Sequence, residues 1–178
     1  MSKRRVVITG MGILSPVGND LASNWEAIVA GRSGIAPITH FDASAFPTRI
    51  AGQVKGFDAS RWIAPKDIKK MDTFVHYGVA ASMMAVEDSG LDVAADGERV
   101  GVAIGAGIGG LKGIEDTTIK YHEGGPRKVS PFYVPSTIIN MIAGQVSIMT
   151  GAKGPNVAAV TACTTATHNI GLAMRMIQ

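Results

Sequence analysis

The chain has 178 residues, 46% of them hydrophobic and 17% charged, with 17 basic and 14 acidic residues for a formal net charge of +3. That balance excludes a disordered chain and fits one globular domain with a sizeable core. So mild a positive excess, with no long basic run, argues against a nucleic-acid partner.

The start, MSKRRVVITG, is basic but has no apolar stretch of signal-peptide length, and no run of about 18 apolar residues follows. The expectation is a soluble cytoplasmic protein with no membrane partner. Arg4 to Thr9 is rich in β-branched residues and predicts a buried strand running into the glycine loop Gly10-Met11-Gly12. Asp20 to Ala30 predicts a short helix, with Asp20 as N-cap and Gly31 just past its end. Residues 31–56 carry several Gly and Pro and little periodicity, which predicts irregular chain with a short strand near Ile50 to Val54.

Asp72 to Asp88 lacks proline and is apolar on most faces, as a buried helix ended by Gly90 is. Arg99 to Ala103, continuing through Ile104, predicts a second buried strand. The glycine cluster Gly105 to Gly113 follows, then a polar helix through His122. Glu123 to Pro135 holds three prolines and two glycines and reads as a loop. Ser136 to Met149 predicts a helix capped by Ser136 and stopped by Gly151. Asn156 to Thr161 predicts a third apolar strand, with helix from about Thr164.

Two features suggest a unit that continues. Ile170, Ala173, Met174 and Ile177 are in helical register, and the pattern stops at Gln178 without a Gly, Pro or cap. The mean hydropathy of +0.21 is slightly apolar for a soluble surface, so some of that surface is expected to be covered by a partner or by further chain.

The single cysteine, Cys163, cannot close an internal disulfide. It lies in Val160-Thr161-Ala162-Cys163-Thr164-Thr165, where a strand turns into a helix. A nucleophile on such a turn projects from the sheet edge, as in the elbow of serine hydrolases. The helix N-terminus presents N–H groups and a partial positive charge, which favour an anion there, whether thiolate or oxyanion. Free cysteines are also often inert packing, so the local pattern leaves both readings open.

The run VTACTTATHNIG at Val160 to Gly171 resembles the active-site segment of the β-ketoacyl-acyl-carrier-protein synthases. RRVVITGMGILSPVGND at the start, GAGIGG at Gly105 to Gly110, and GGPRKVSPFYVPSTIINM at Gly124 to Met141 resemble the same family in the same order. Ala166 departs from the glycine expected in many members, a small change. The resemblance implies an α/β, thiolase-like fold of two similar halves, each a mixed sheet covered by helices. Residues 1–178 would be the N-terminal half, with the C-terminal half absent. It also implies fatty-acid elongation. Cys163 takes an acyl chain from acyl carrier protein as a thioester, and malonyl-carrier protein then loses CO2 and attacks it. Two histidines that assist this step lie C-terminal of the cysteine in the family, so the fragment alone is expected not to condense. No cofactor and no metal are expected.

On this resemblance Gly107, Ile108 and Tyr133 belong to the acyl pocket, with Ile108 limiting its depth; simple packing is the alternative. Lys66, Lys69, Lys70, Arg127 and Lys128 would dock the acidic carrier protein, where a solvated surface is the plainer reading. Phe132, Tyr133 and the helix after them match a region where such enzymes form homodimers. His168 stands five positions after Cys163, about 140° round a helix of about 100° per residue, so it reads as a supporting residue. His40, His76 and His122 read as structural or surface residues. The glycine cluster also satisfies G-x-G-x-x-G, which leaves a dinucleotide-dependent oxidoreductase as an alternative, with Glu123 poorly placed for the acidic residue it needs. A non-catalytic binding half-enzyme is the other.

Overall fold

The computed structural model describes residues 4–178; residues 1–3, part of the basic start, lie outside it. Its elements are the helices α1 (Leu21–Val29), α2 (Pro65–Ile68), α3 (Thr73–Ser89), α4 (Leu111–Gly124), α5 (Tyr133–Thr137), α6 (Met141–Thr150) and α7 (Thr165–Ile177), and the strands β1 (Ile35–Pro37), β2 (Ile50–Gly52), β3 (Val102–Ala103) and β4 (Asn156–Val157). The strands form two ladders. β1 and β2 pair antiparallel with Ala36 opposite Ala51, and β3 and β4 pair parallel with Val102 opposite Asn156.

Helix ends follow the sequence closely. The Asp20 carboxylate accepts the Ser23 N–H at 2.7 Å, and this bond holds its pKa below the ordinary Asp value. Asp72 accepts the Thr73 N–H at the start of α3. Gly90 and Gly151 close α3 and α6 in the left-handed region, at φ of 65° and 78°, a conformation that costs glycine nothing.

The core lies between α3 and α6. Val75 and Val79 of α3 pack with Ile142 and Val146 of α6 and with Ile63, and Val102 and Ile104 flank them on the strand side. Burying each such aliphatic side chain contributes about 1.5–3 kcal/mol. The two helices touch at Gly78, where a Cβ would lie 2.5 Å from Ile142 Cγ2.

Several expectations are corrected. Residues 4–9 form no strand, and Val7 and Ile8 are 64% and 77% exposed. β-branched sequence supplies a preference, but a strand needs a neighbour, and β3 and β4 are paired with each other. The expected strands at 99–104 and 156–161 shrink to two residues each, with Val160 exposed. The single helix from Ser136 to Met149 is two helices, because Ile138 leaves α5 with extended dihedrals (φ −74°, ψ 143°). The β-branched run Thr137-Ile138-Ile139 weakens helix there. Ser136 is no cap: its hydroxyl donates to the Tyr133 carbonyl. Conversely, Tyr133 to Pro135, expected as loop, begin α5.

Candidate active site

Cys163 is exposed and lies in a single 3-10 turn, Ala162–Thr164, between the end of the β4 segment and α7. Ala162 holds φ at +50°, and it alone among the described non-glycine residues has positive φ. A residue with a Cβ pays about 1–2 kcal/mol to sit there, so the surrounding bonds must over-determine the turn. The Thr165 hydroxyl accepts the Thr161 N–H at 2.9 Å. The Thr164 hydroxyl donates to the Thr161 carbonyl at 2.7 Å. Buried Asn169 acts as a substitute strand: its Oδ1 accepts the Ala159 N–H at 3.1 Å and its Nδ2 donates to the Ala159 carbonyl at 3.0 Å.

The turn consumes donors that the sequence reading assigned to an oxyanion. The Thr164 N–H donates to the Thr161 carbonyl at 3.1 Å and the Thr165 N–H to the Ala162 carbonyl. The Cys163 N–H takes part in neither bond. His168 Nδ1 lies 2.7 Å from Thr161 Oγ1, so this imidazole braces the turn from α7. Thr161, Thr165 and Asn169 were missed in the sequence. The available signal was Thr165 and Asn169 four apart, a polar pair on the helix face turned to the strand.

The glycine cluster packs beside the cysteine turn. A Cβ on Gly107 would lie 3.4 Å from the Ala162 carbonyl oxygen, which brings this residue to the neighbour of Cys163. Gly105 presses on the Ala159 carbonyl. A Cβ on Gly109 would meet the Thr137 carbonyl oxygen at 2.7 Å, and one on Gly110 the Thr137 Cα at 2.8 Å. Gly105, Gly109 and Gly110 are therefore closed in by neighbouring protein atoms, whereas Gly107 is exposed and meets only ordinary van der Waals contact. Close packing accounts for the first and last glycines of the G-x-G-x-x-G pattern without a dinucleotide. Ile108 points out, 70% exposed, and Tyr133 is half-buried on α5, whose last residue Thr137 carries the glycine contacts.

The two basic groups are linked through one aromatic ring. Lys66 and Lys69 are exposed on and just after α2. Lys70 is engaged: its Nζ lies 2.7 Å from Asp67 Oδ1 and 5.5 Å from the Phe132 ring centroid. The Lys70 hydrogen bond holds the Asp67 carboxyl below its ordinary pKa. Arg127 and Lys128 are exposed on a 3-10 turn a few residues before Phe132, with the Lys128 stem lying on Gly124. Lys70 thus ties the end of one cluster to the segment that carries the other.

Among the described residues, no three His, Cys, Asp or Glu side chains are grouped to hold a metal ion, and no helix is long and apolar enough to cross a membrane.

Residues 3–178 match the family model described as beta-ketoacyl synthase, N-terminal domain. The chain is 61% identical over 178 residues to the 3-oxoacyl-[acyl-carrier-protein] synthase 2 of Vibrio cholerae, covering 99% of this chain and 43% of that protein. It is 53% identical to the synthase 2 of Coxiella burnetii, again over 43% of that protein. The chain therefore spans less than half the length of the curated relatives it matches. Among solved structures it superposes on the ishigamide ketosynthase/chain length factor with a TM-score of 0.84 at 27% identity, over 98% of this chain and 45% of the other. A type II polyketide acyl-carrier protein in complex with its ketosynthase gives 0.82 at 27% identity, over 97% and 46%. These neighbours share the α/β, thiolase-like fold that the sequence led one to expect. The chain belongs to the beta-ketoacyl synthase family and corresponds to its N-terminal domain.

Proposed function

We propose that this chain is the N-terminal, acyl-accepting half of a cytoplasmic 3-oxoacyl-acyl-carrier-protein synthase of fatty-acid elongation. One observation carries the reading: the only cysteine is exposed on a strained, heavily braced turn between strand and helix, in a chain 61% identical to a synthase of that name. Cys163 Sγ attacks the thioester carbonyl of an acyl-carrier protein, the acyl group moves to the sulfur, and the carrier thiol leaves. Malonyl-carrier protein then loses CO2, its carbanion attacks the new thioester, and Cys163 leaves as thiolate with the chain two carbons longer. The histidines for that second step belong to the C-terminal half. A preformed, braced turn favours such chemistry, since the nucleophile needs no reorganisation when the acyl group arrives.

Gly107, Ile108 and Tyr133 line the acyl channel in this reading. The support is the packing of the glycine loop between the cysteine turn and α5. Lys66, Lys69, Arg127 and Lys128 steer an acidic carrier protein, with the Lys70 ammonium committed to Asp67 and Phe132 and contributing less than the free cations. A second copy of the enzyme packs near α5 and α6.

The test is acyl loading in the complete enzyme. Incubation with acyl-carrier thioester adds one acyl mass, and Cys163→Ala abolishes the adduct. Iodoacetamide labels Cys163 faster than a model thiol. Loading that survives Cys163→Ala would sink the proposal. The 178-residue chain alone should not elongate malonyl-carrier protein.

A further inference from the structure

Asp72 caps two helices with one carboxylate. Its Oδ1 accepts the Thr73 N–H at 2.6 Å, at the start of α3. Its Oδ2 accepts the Gly113 N–H at 3.0 Å, in the first turn of α4. The N-cap residue of α4 is Gly110, which has no side chain to cap with, so the acceptor comes from a residue 41 positions away. Two helix N-termini with unpaired N–H groups converge on one anion, which suits both partial positive charges.

The neighbours of this carboxylate are the residues that hold the pocket loop. The Asp72 N–H donates to the Ser136 carbonyl at 3.3 Å, and the Gly110 N–H donates to the Thr137 carbonyl at 3.0 Å. A Cβ on Gly110 would lie 2.9 Å from Asp72 Oδ2, and a Cβ on Gly113 would lie 2.9 Å from the same oxygen and 3.0 Å from Thr137 Cγ2. The exposed Ile108 sits in the loop between Gly107, which touches the cysteine turn, and Gly110, where α4 begins. One end of that loop runs beside Ala162, within ordinary van der Waals reach of a Cβ on Gly107. The other end is anchored on Thr137 and, through the first turn of α4, on Asp72.

We infer that Asp72 is a positioning residue for the acyl channel: by capping α4 it fixes the Gly107–Gly110 loop, and with it the place of Ile108, so it governs which acyl lengths Cys163 accepts. This rests on the reading that Cys163 is loaded with an acyl chain. Asp72 touches no reacting atom.

Asp72→Asn is the discriminating variant. Asparagine is as good an N-cap for α3 as aspartate, but it has a single acceptor oxygen and cannot serve both N–H groups. Gly113→Ala attacks the same junction from the other side, by pushing a methyl group against the carboxylate. In the complete enzyme, loading of Cys163 is followed with short-chain and long-chain acyl-carrier thioesters, alongside iodoacetamide alkylation and thermal melting. The expected result is a change of about tenfold in the short-to-long ratio of loading rates in both variants, the scale of one charge-assisted hydrogen bond. Alkylation of Cys163, which does not use the channel, stays within about twofold if the loop alone has moved. An unchanged ratio, or an equal fall for both chain lengths with a lowered melting temperature, overturns the inference. Failure of the parent enzyme to load any acyl group would instead strike the proposed function, so the two failures are told apart.

Discussion

Ala162 alone among the described non-glycine residues holds a positive φ, and it stands immediately before Cys163. Its φ of +50° is tolerated because Thr165, Thr164, His168 and Asn169 all bond to the segment from Ala159 to Thr161. Removing the Cβ relieves the strain, so Ala162→Gly should raise stability by about 1 kcal/mol, read as a higher denaturation midpoint. Ala162→Val should lower it by about 2 kcal/mol or more, since a β-branched residue is a true outlier at positive φ. Equal stability for all three residues would show that the turn relaxes in solution. The position of Cys163 between strand and helix was legible in the sequence, because the change from β-branched run to helical register is local. The strain at Ala162 was not. Alanine carries no signal for positive φ, and only the surrounding bonds impose it.

At the scale of elements, the cap Asp20 and the stops Gly90 and Gly151 were legible, the cap expected at Ser136 was not one, and contacts were not legible. Asp20, Asp72, Gly90 and Gly151 act at the helix ends where their residue types put them. These are short-range effects of side-chain acceptors and of glycine's freedom at positive φ. The break between α5 and α6 was obscured because the apolar register runs through Ile138, Ile139 and Ile142 without interruption. Tertiary packing decides it, with the Thr137 carbonyl turned to accept the Gly110 N–H. The α3–α6 crossing makes a sharper prediction. Gly78→Ala puts a methyl group 2.5 Å from Ile142 Cγ2, and overpacking of this kind costs about 1–3 kcal/mol. The double variant Gly78→Ala with Ile142→Val should recover part of that loss, since it removes the Cδ1 atom found 2.7 Å away. No recovery in a chemical denaturation series would mean the helices shift apart rather than clash.

For the whole molecule, the slightly apolar composition has a visible counterpart. Val7, Ile8, Val160, Ile170, Leu172 and Met176 are all exposed, and Ile8 and Ile170 reach 77% and 64%. Apolar surface of this extent favours association. The chain of 178 residues by itself should therefore sediment above its 18.5 kDa monomer mass as concentration rises, and Ile8→Lys with Ile170→Lys should shift it towards monomer. Sedimentation as a monomer at every concentration would refute this. The sequence by itself determined the family, the order of its motifs and most helix ends, because each is written in residue types within a few positions of one another. Only the tertiary structure decided that residues 4–9 stay unpaired, that Gly105, Gly109 and Gly110 are closed in by neighbouring chain, and that Asp72 caps a helix 41 residues away. Those features depend on partners distant along the chain, and neither periodicity nor local propensity carries information about which distant groups will meet.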